Sequence, residues 1–354
     1  MSMFVIGYYA ALIAASCIAA YFQNRQAFML LFSLTLVSFV LGIVGGVPAL
    51  QGVTIFAGIL ALAAGTSYAF REFLIQVSRP AIAKELRTAP LTAAFGMFVI
   101  FTYAIAGIFA PWIAPFGQSE VIASAFEPPN EDMLLGADQL GRDMFSRIVY
   151  GARNSVGLAL LATILAFVIG ALAGLYSAVK GGWLDQLSGR VADVIMSVPS
   201  LIFALLMLSI FGTYLWVIVV VVAIIYSPRV FRLTRAVAGN VVVMDYVEAA
   251  KVRGEGDWHL IRKEILPNST APLIAEFGLE FCFVFLLIAG LSFLGLGIQP
   301  PTADWGSMVR ENATLISFGD ITPLIPAAAI ALLTVAVNFV VDWMLFRSSG
   351  LKEQ

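Results

Sequence analysis

Few residues of this chain could carry chemistry, and their spacing excludes most reactions. His259 is the only histidine. A Ser-His-Asp triad therefore has a single possible base, and a multi-histidine zinc site has none. A nucleotide-binding loop needs glycine directly before lysine in G-x-x-x-x-G-K-[ST]. Here Lys84, Lys180, Lys251, Lys263 and Lys352 follow Ala, Val, Ala, Arg and Leu. Asp138 and Asp143 share a polar stretch without a histidine, so they read as solvated acids of a loop rather than as a metal or glycosidase pair. Asp193, Glu276 and Glu280 stand in or beside apolar runs, where an acid marks either an ion path or a paired structural group. Asp193 follows Arg190 by three residues, near the interface, and reads as a paired or snorkelled structural acid.

The densest polar island is DYVEAAKVRGEGDWHLIRKEILP, residues 245–267. Asp245 and Glu248 have the D-x-x-E spacing of a capping box, which would start a short helix at Tyr246. Gly254 supplies the left-handed residue that stops it. A second helix starts at Asp257, places Trp258, Ile261 and Ile265 on one face, and ends at Pro267, which cannot donate into a helix. Two short helices thus meet at a glycine elbow, and the small Ala249 and Ala250 would let a partner sit close.

The surrounding elements are membrane. The 354 residues are 60% hydrophobic and only 12% charged, with a mean hydropathy of +0.94, far from the balance of a soluble domain. Charge-free runs cover 1–24, 26–70, 88–119, 154–179, 194–228, 281–303 and 321–341. A span needs roughly 20 apolar residues, so the second run, broken at 45–48, and the fifth, broken near Gly212, each fold as two. Nine spans result. Placing the 245–267 loop inside leaves only Arg142, Arg147, Arg153 and Arg310 outside, against the other 16 of 20 Lys and Arg, as the positive-inside rule asks. The N-terminus then lies outside and the C-terminus in the cytoplasm. Cys17 and Cys282 fall in apolar runs, where cysteine acts as a small hydrophobe. Residues 71–90 form a charged, partly amphipathic linker along the inner surface. The basic residues are spread along the inner interface, so nucleic acid is no partner.

The pattern Glu248-Ala249-Ala250, three residues, Gly254, ten residues, Ile265-Leu266-Pro267 resembles the E-A-A loop of binding-protein-dependent ABC importer permeases. The likeness extends to the second permease of the dipeptide, oligopeptide and nickel importers. LLGADQLGRDMFSRIVYGARNS at 134–155 is similar to its L-G-T-D-x-x-G-R-D segment, with Ala137 in place of Thr. Residues 181–203, LSFLGLGIQPP at 291–301 and Asp304-Trp305-Gly306 follow the same family, whereas of its tail only Asn338 and Asp342 remain.

The resemblance implies an all-α, polytopic helical bundle: a six-span type I importer core at 89–348, joined by the 71–88 linker to about three extra spans in 1–70. It implies a bacterial inner-membrane permease with a second homologous permease, two ATPase subunits, an extracytoplasmic solute-binding protein and membrane lipid as partners. ATP and Mg would sit on the ATPases, and this chain would bind no cofactor and catalyse no covalent step. Asp245, Tyr246, Glu248, Ala249, Ala250, Arg253, Gly254 and Pro267 would couple to the ATPase, and Ser292, Phe293, Gly295 and Gly297 would border the solute path. The solute could be a peptide, metal, opine or sugar. The alternative is an ion-coupled carrier using Asp193, Glu276 and Glu280.

Overall fold

The computed structural model describes residues 48–348 with Ala15, Leu30, Ser33 and Leu34, and the chain divides into two units, Met1–Val77 and Ser78–Gln354. The spans expected in 1–24 and 26–44, both chain termini, Arg25, Cys17 and Lys352 lie outside the described residues. The first unit contains α1 (Pro48–Val77), which starts at the proline that follows the expected break, because proline is pre-set for the first turn of a helix. This helix continues through Arg71 to Val77, so the charged segment begins within a helix rather than as a surface linker.

The second unit is built from α2 (Pro80–Leu86), α3 (Leu91–Ile108), α4 (Ala110–Ile113), α5 (Met144–Gly151), α6 (Gly157–Lys180), α7 (Gly182–Met196), α8 (Ser200–Phe211), α9 (Leu215–Val242), α10 (Asp245–Val252), α11 (Asp257–His259), α12 (Leu266–Phe293), α13 (Trp305–Asn312) and α14 (Leu324–Ser348). Among the described residues, six helical stretches are long and apolar enough to span a membrane, or seven if α7 and α8, bent by 85°, count as one. Six of the seven belong to this unit, as expected for its core.

Two of these stretches are unusually long. A π turn at Ala152–Val156 joins α5 to α6, giving 37 helical residues from Met144 to Lys180, and a second at Leu260–Ile265 joins α11 to α12, giving 37 from Asp257 to Phe293. At 1.5 Å per residue each is about 55 Å long, well beyond a hydrocarbon layer of about 30 Å. Each therefore carries structure outside the membrane.

Pro267 does not end the second helix. It sits in the first turn of α12, after the π turn. The wider i to i+5 turn takes up the hydrogen bond that proline cannot make and the room its ring needs. α9 likewise runs through a proline, Pro228, to Val242. Arg229, Arg232 and Arg235, expected in a cytoplasmic loop, are consequently helical.

Close approach holds the bundle together. A Cβ at Gly170 would overlap the Ser227 carbonyl oxygen, and one at Gly174 would lie 2.8 Å from the Phe231 carbonyl oxygen. The G-x-x-x-G pair thus seats α6 against the backbone of α9, as small residues do in membrane bundles. Tyr103 donates to the Ala329 carbonyl (3.3 Å) and Tyr226 to the Phe283 carbonyl (3.1 Å), tying α3 to α14 and α9 to α12.

Replacing Gly170 by leucine should force α6 and α9 apart, at a cost of roughly 1–3 kcal/mol or more. Thermal unfolding in detergent checks this: Gly170→Leu should unfold at lower temperature than the native chain, while Gly157→Ala, whose site has no atom within 4 Å, should not.

Candidate functional site: the 245–267 loop and the opposite polar end

The loop is a seated element rather than a free hairpin. Val247 and Ala250 of α10, Leu260, Ile261 and Ile265 of the π turn region, Leu175 of α6 and Ala238 of α9 form one buried apolar cluster. Lys180, at the end of α6, pairs with Asp257 at 2.6 Å. The loop therefore closes the ends of α6, α9 and α12 against one another.

Several residues sit differently from their sequence reading. The cap of α10 is Met244, in an extended conformation and without a side-chain cap bond. No capping box forms, because the helix begins one residue early and Asp245 becomes part of its first turn. Asp245 and Glu248 instead place two negative charges where unpaired N–H groups and the helix dipole favour them. Ala250 is fully buried and belongs to the seat, so Ala249 alone offers the low surface expected of both. Trp258 is 63% exposed and does not share the buried face of Ile261 and Ile265.

Gly254 has φ +83°. The Glu255 N–H donates to the Ala250 carbonyl (3.2 Å) and the Gly254 N–H to that of Lys251 (2.9 Å), the two bonds of a Schellman motif. A side chain at this position would meet no other atom within 4 Å, so its cost is purely conformational. The outer face of the loop carries Asp245, Tyr246, Glu248, Ala249, Arg253, Gly254 and Pro267, all exposed. Val243, Met244, Val252 and Trp258 are exposed apolar residues on the same loop. Of these, the sequence reading named only Trp258, and on the buried face. Their signal is an apolar side chain in the one segment that is otherwise charged.

At the other end of the long helices, Asp138 and Asp143 are buried, not solvated. Arg142 binds Asp138 at 2.7 Å and Glu311 at 2.9 Å, and Arg147 approaches the same two carboxylates at 3.2 Å each. Two arginines and two acids thus close a ring. Asp138 also accepts from the N–H groups of Leu140 (2.9 Å) and Arg142 (3.0 Å), which shapes the loop. Asp143 caps α5 by accepting from the Ser146 N–H at 2.8 Å. The polar cluster was missed because the partner that neutralises it, Glu311, lies far along the chain.

Beside the ring, Trp305 is fully buried and donates from its indole to the Ile148 carbonyl at 3.0 Å. Asp304 caps α13 through the Ser307 N–H (2.9 Å) and accepts from the Ser155 hydroxyl (2.8 Å). Burial pushes its carboxyl above the usual range, and bonds from Ser307, Ser155 and Ser292 pull it back.

Of the expected path residues, Phe293 is half-exposed. Ser292 is buried and accepts from the Ile298 N–H at 3.2 Å, with Gly297 packed against it. Gly295, at φ +90°, ends α12 against the Arg310 side chain. The segment is a folded-back helix terminus rather than a loosened helix. Asp193 pairs with Arg232, not with Arg190, and at the far end Arg347 of α14 pairs with Glu85 of α2.

Removing one acid from the ring should be costly, since it leaves two buried guanidiniums sharing one carboxylate. Glu311→Gln should lower stability by about 3–5 kcal/mol, seen as a fall in thermal unfolding temperature in detergent. Glu131→Gln, on the exposed part of the same loop, should leave it unchanged.

Comparison with known proteins agrees with this geometry. The family described as "Binding-protein-dependent transport system inner membrane component" matches residues 166–348, which include the whole seated loop. The probable D,D-dipeptide transport system permease protein DdpC of Escherichia coli (strain K12) is 34% identical over 258 residues, 73% of this chain and 86% of that protein. The dipeptide transport system permease protein DppC of Haemophilus influenzae is 35% identical over 257 residues, covering 71% and 87%. The glutathione transport system permease protein GsiD of Pectobacterium atrosepticum is 33% identical over 257 residues, covering 71% and 84%. With a seated polar loop, a six-span unit and relatives matched over most of their length, the chain belongs to the family of binding-protein-dependent transport system inner membrane components.

Proposed function

We propose that this permease is one half of the translocation pathway of an ATP-driven importer of peptides or a related small solute. A second homologous permease, two ATPase subunits and an extracytoplasmic solute-binding protein complete it. The observation that carries this reading is the construction of the 245–267 loop, whose inner face is locked to the ends of three spans while its outer face is exposed. The peptide names carried by the relatives support the solute class. ATP and Mg belong on the ATPase subunits, and the loop faces the cytoplasm, in keeping with the arginine and lysine distribution.

Coupling follows from the geometry. The ATPase grips the outer face through Tyr246, Ala249, Arg253 and the exposed Val252 and Trp258. Its movement on ATP binding displaces α10, and the buried seat passes that displacement to α6, α9 and α12. Because the π turn joins α11 and α12 into one helical stretch, movement at Asp257 is carried along it toward Phe293. An ion-coupled carrier is less well supported, since Asp193 and Glu280 both face arginines of their own chain.

Reconstituted vesicles containing the complete complex test this reading. In Gly254→Val the backbone at φ +83° becomes strained by on the order of 1 kcal/mol or more, too little to unfold the bundle but enough to re-aim α10. Membrane integration should stay normal while di-alanine uptake per ATP hydrolysed falls, or ATPase association weakens. Native coupling in Gly254→Val, and again with Tyr246, Ala249 and Val252 all replaced by glutamate, would contradict it.

A further inference from the structure

The polar groups left unused by this coupling scheme lie along α9, where Arg229, Arg232 and Arg235 recur at every third residue. Arg235 pairs with Asp185 and Arg232 with Asp193, both on α7. Arg229 is different. Its acidic partner, Glu280 of α12, is 3.9 Å from Nη1, beyond hydrogen-bond reach, and the second oxygen of Glu280 is buried with no hydrogen-bond partner. The guanidinium lies 4.8 Å from the ring centre of Phe283 and 5.5 Å from that of Tyr226. Its side chain is nevertheless 46% exposed, whereas that of Glu280 is 2% exposed.

Depth decides what that exposure means. Arg229 is about 21 Å along α9 from Leu215 at 1.5 Å per residue, inside a hydrocarbon layer of about 30 Å. A charge at this depth faces protein or water, not lipid. Arg229 also borders a cleft of about 160 Å³ with Ile195, Pro199, Ser200, Phe203 and Tyr226. The floor of this cleft is the 85° bend between α7 and α8, and residues 197–199 at the bend are exposed. Irregular backbone at membrane depth persists only where protein covers it or a water-filled cavity lies beside it. An exposed arginine and an exposed break in the helix meet in one cleft, where each needs water or a protein surface beside it rather than lipid.

We infer that Arg229 is a carboxylate-binding station on the solute path, with Glu280 as the counter-ion that faces it when the path is empty. The inference rests on the permease function proposed above, and adds a chemical preference inside the membrane. A guanidinium offers a planar fork that fits a carboxylate with two hydrogen bonds. The long contact to Glu280 leaves those donors free, so an arriving carboxylate displaces no hydrogen bond of the pair. The cleft is below the roughly 300 Å³ at which small-molecule pockets begin, which suits the carboxylate end of a small peptide while the rest lies against the second permease. Tyr226 and Phe283 hold the guanidinium in place by their ring faces. Glu276, one turn from Glu280 and partly buried, is the other acid near this face and keeps the site from binding anions too tightly to release them.

The test uses the complete complex in vesicles, with Cys17→Ser and Cys282→Ser in the permease and di-alanine as probe. Arg229→Cys should be modified by a membrane-impermeant anionic thiosulfonate, and di-alanine with its binding protein and ATP should slow that modification. In parallel, Arg229→Gln should lower di-alanine uptake by about tenfold, the loss expected for charge-assisted hydrogen bonds, while ATP hydrolysis continues; Arg229→Lys should be intermediate. No modification of Arg229→Cys in a complex whose cysteine-free parent imports di-alanine would overturn the inference alone, because the site would then be sealed. Native uptake by Arg229→Gln would overturn it as well. A parent complex that imports no di-alanine would remove the permease reading itself, and the station with it.

Discussion

Whatever the 245–267 loop transmits must pass through a small apolar seat, in which Val247 and Ala250 pack on Leu175, Ala238, Leu260, Ile261 and Ile265. If these contacts were loose, a force on the exposed face of α10 would bend the loop and leave the spans still. They are tight because the seat is made of small and branched side chains with no polar atom among them, and interiors packed in this way transmit displacement rather than absorb it. The Schellman turn at Gly254 sets the angle at which α10 leaves the seat. The Lys180–Asp257 pair adds a polar clasp at the rim, partly exposed and so of small energetic value.

The seat matters only because the helices attached to it are continuous. Each of the two long helical stretches contains a π turn where a straight α-helix would meet trouble, a proline in one case. The opposite end of the first of these, Met144–Lys180, is fixed through Arg147 by the ring of Asp138, Arg142, Arg147 and Glu311. Such a ring gains little net stability over an apolar core, since four charges must first be stripped of water. Its value lies in register: only one arrangement of the 134–155 segment against α13 leaves no charge unpaired. One end of the bundle is thus pinned by polar specificity and the other by apolar packing, with the arginine row of α9 between them.

Much of this was legible in the sequence, and the failures have a common cause. The membrane class, the apolar helices and the left-handed Gly254 all follow from local composition or local backbone demands. What the sequence could not show were choices made by distant partners. Asp138 resembles a solvated loop acid until Glu311 arrives from far along the chain to complete its ring with Arg142 and Arg147. Ala249 and Ala250 are indistinguishable until α6 and α9 cover one of them. Asp193 has Arg190 nearby in sequence and Arg232 nearby in space. Pro267 reads as a stop because a single segment does not reveal that its helix is held in place from both sides.

The claim on which the account depends is that α10 has an outer face for the ATPase and an inner face for its own bundle. Cysteine placed singly at Ala249 or Ala250, in a permease lacking Cys17 and Cys282, and treated with a short bifunctional thiol reagent in the assembled complex, measures this directly. Ala249→Cys should cross-link to the ATPase subunit, with a yield that changes on adding ATP, and Ala250→Cys should not cross-link. Equal cross-linking from both positions, or none from Ala249→Cys in a complex that still imports solute, would contradict the account.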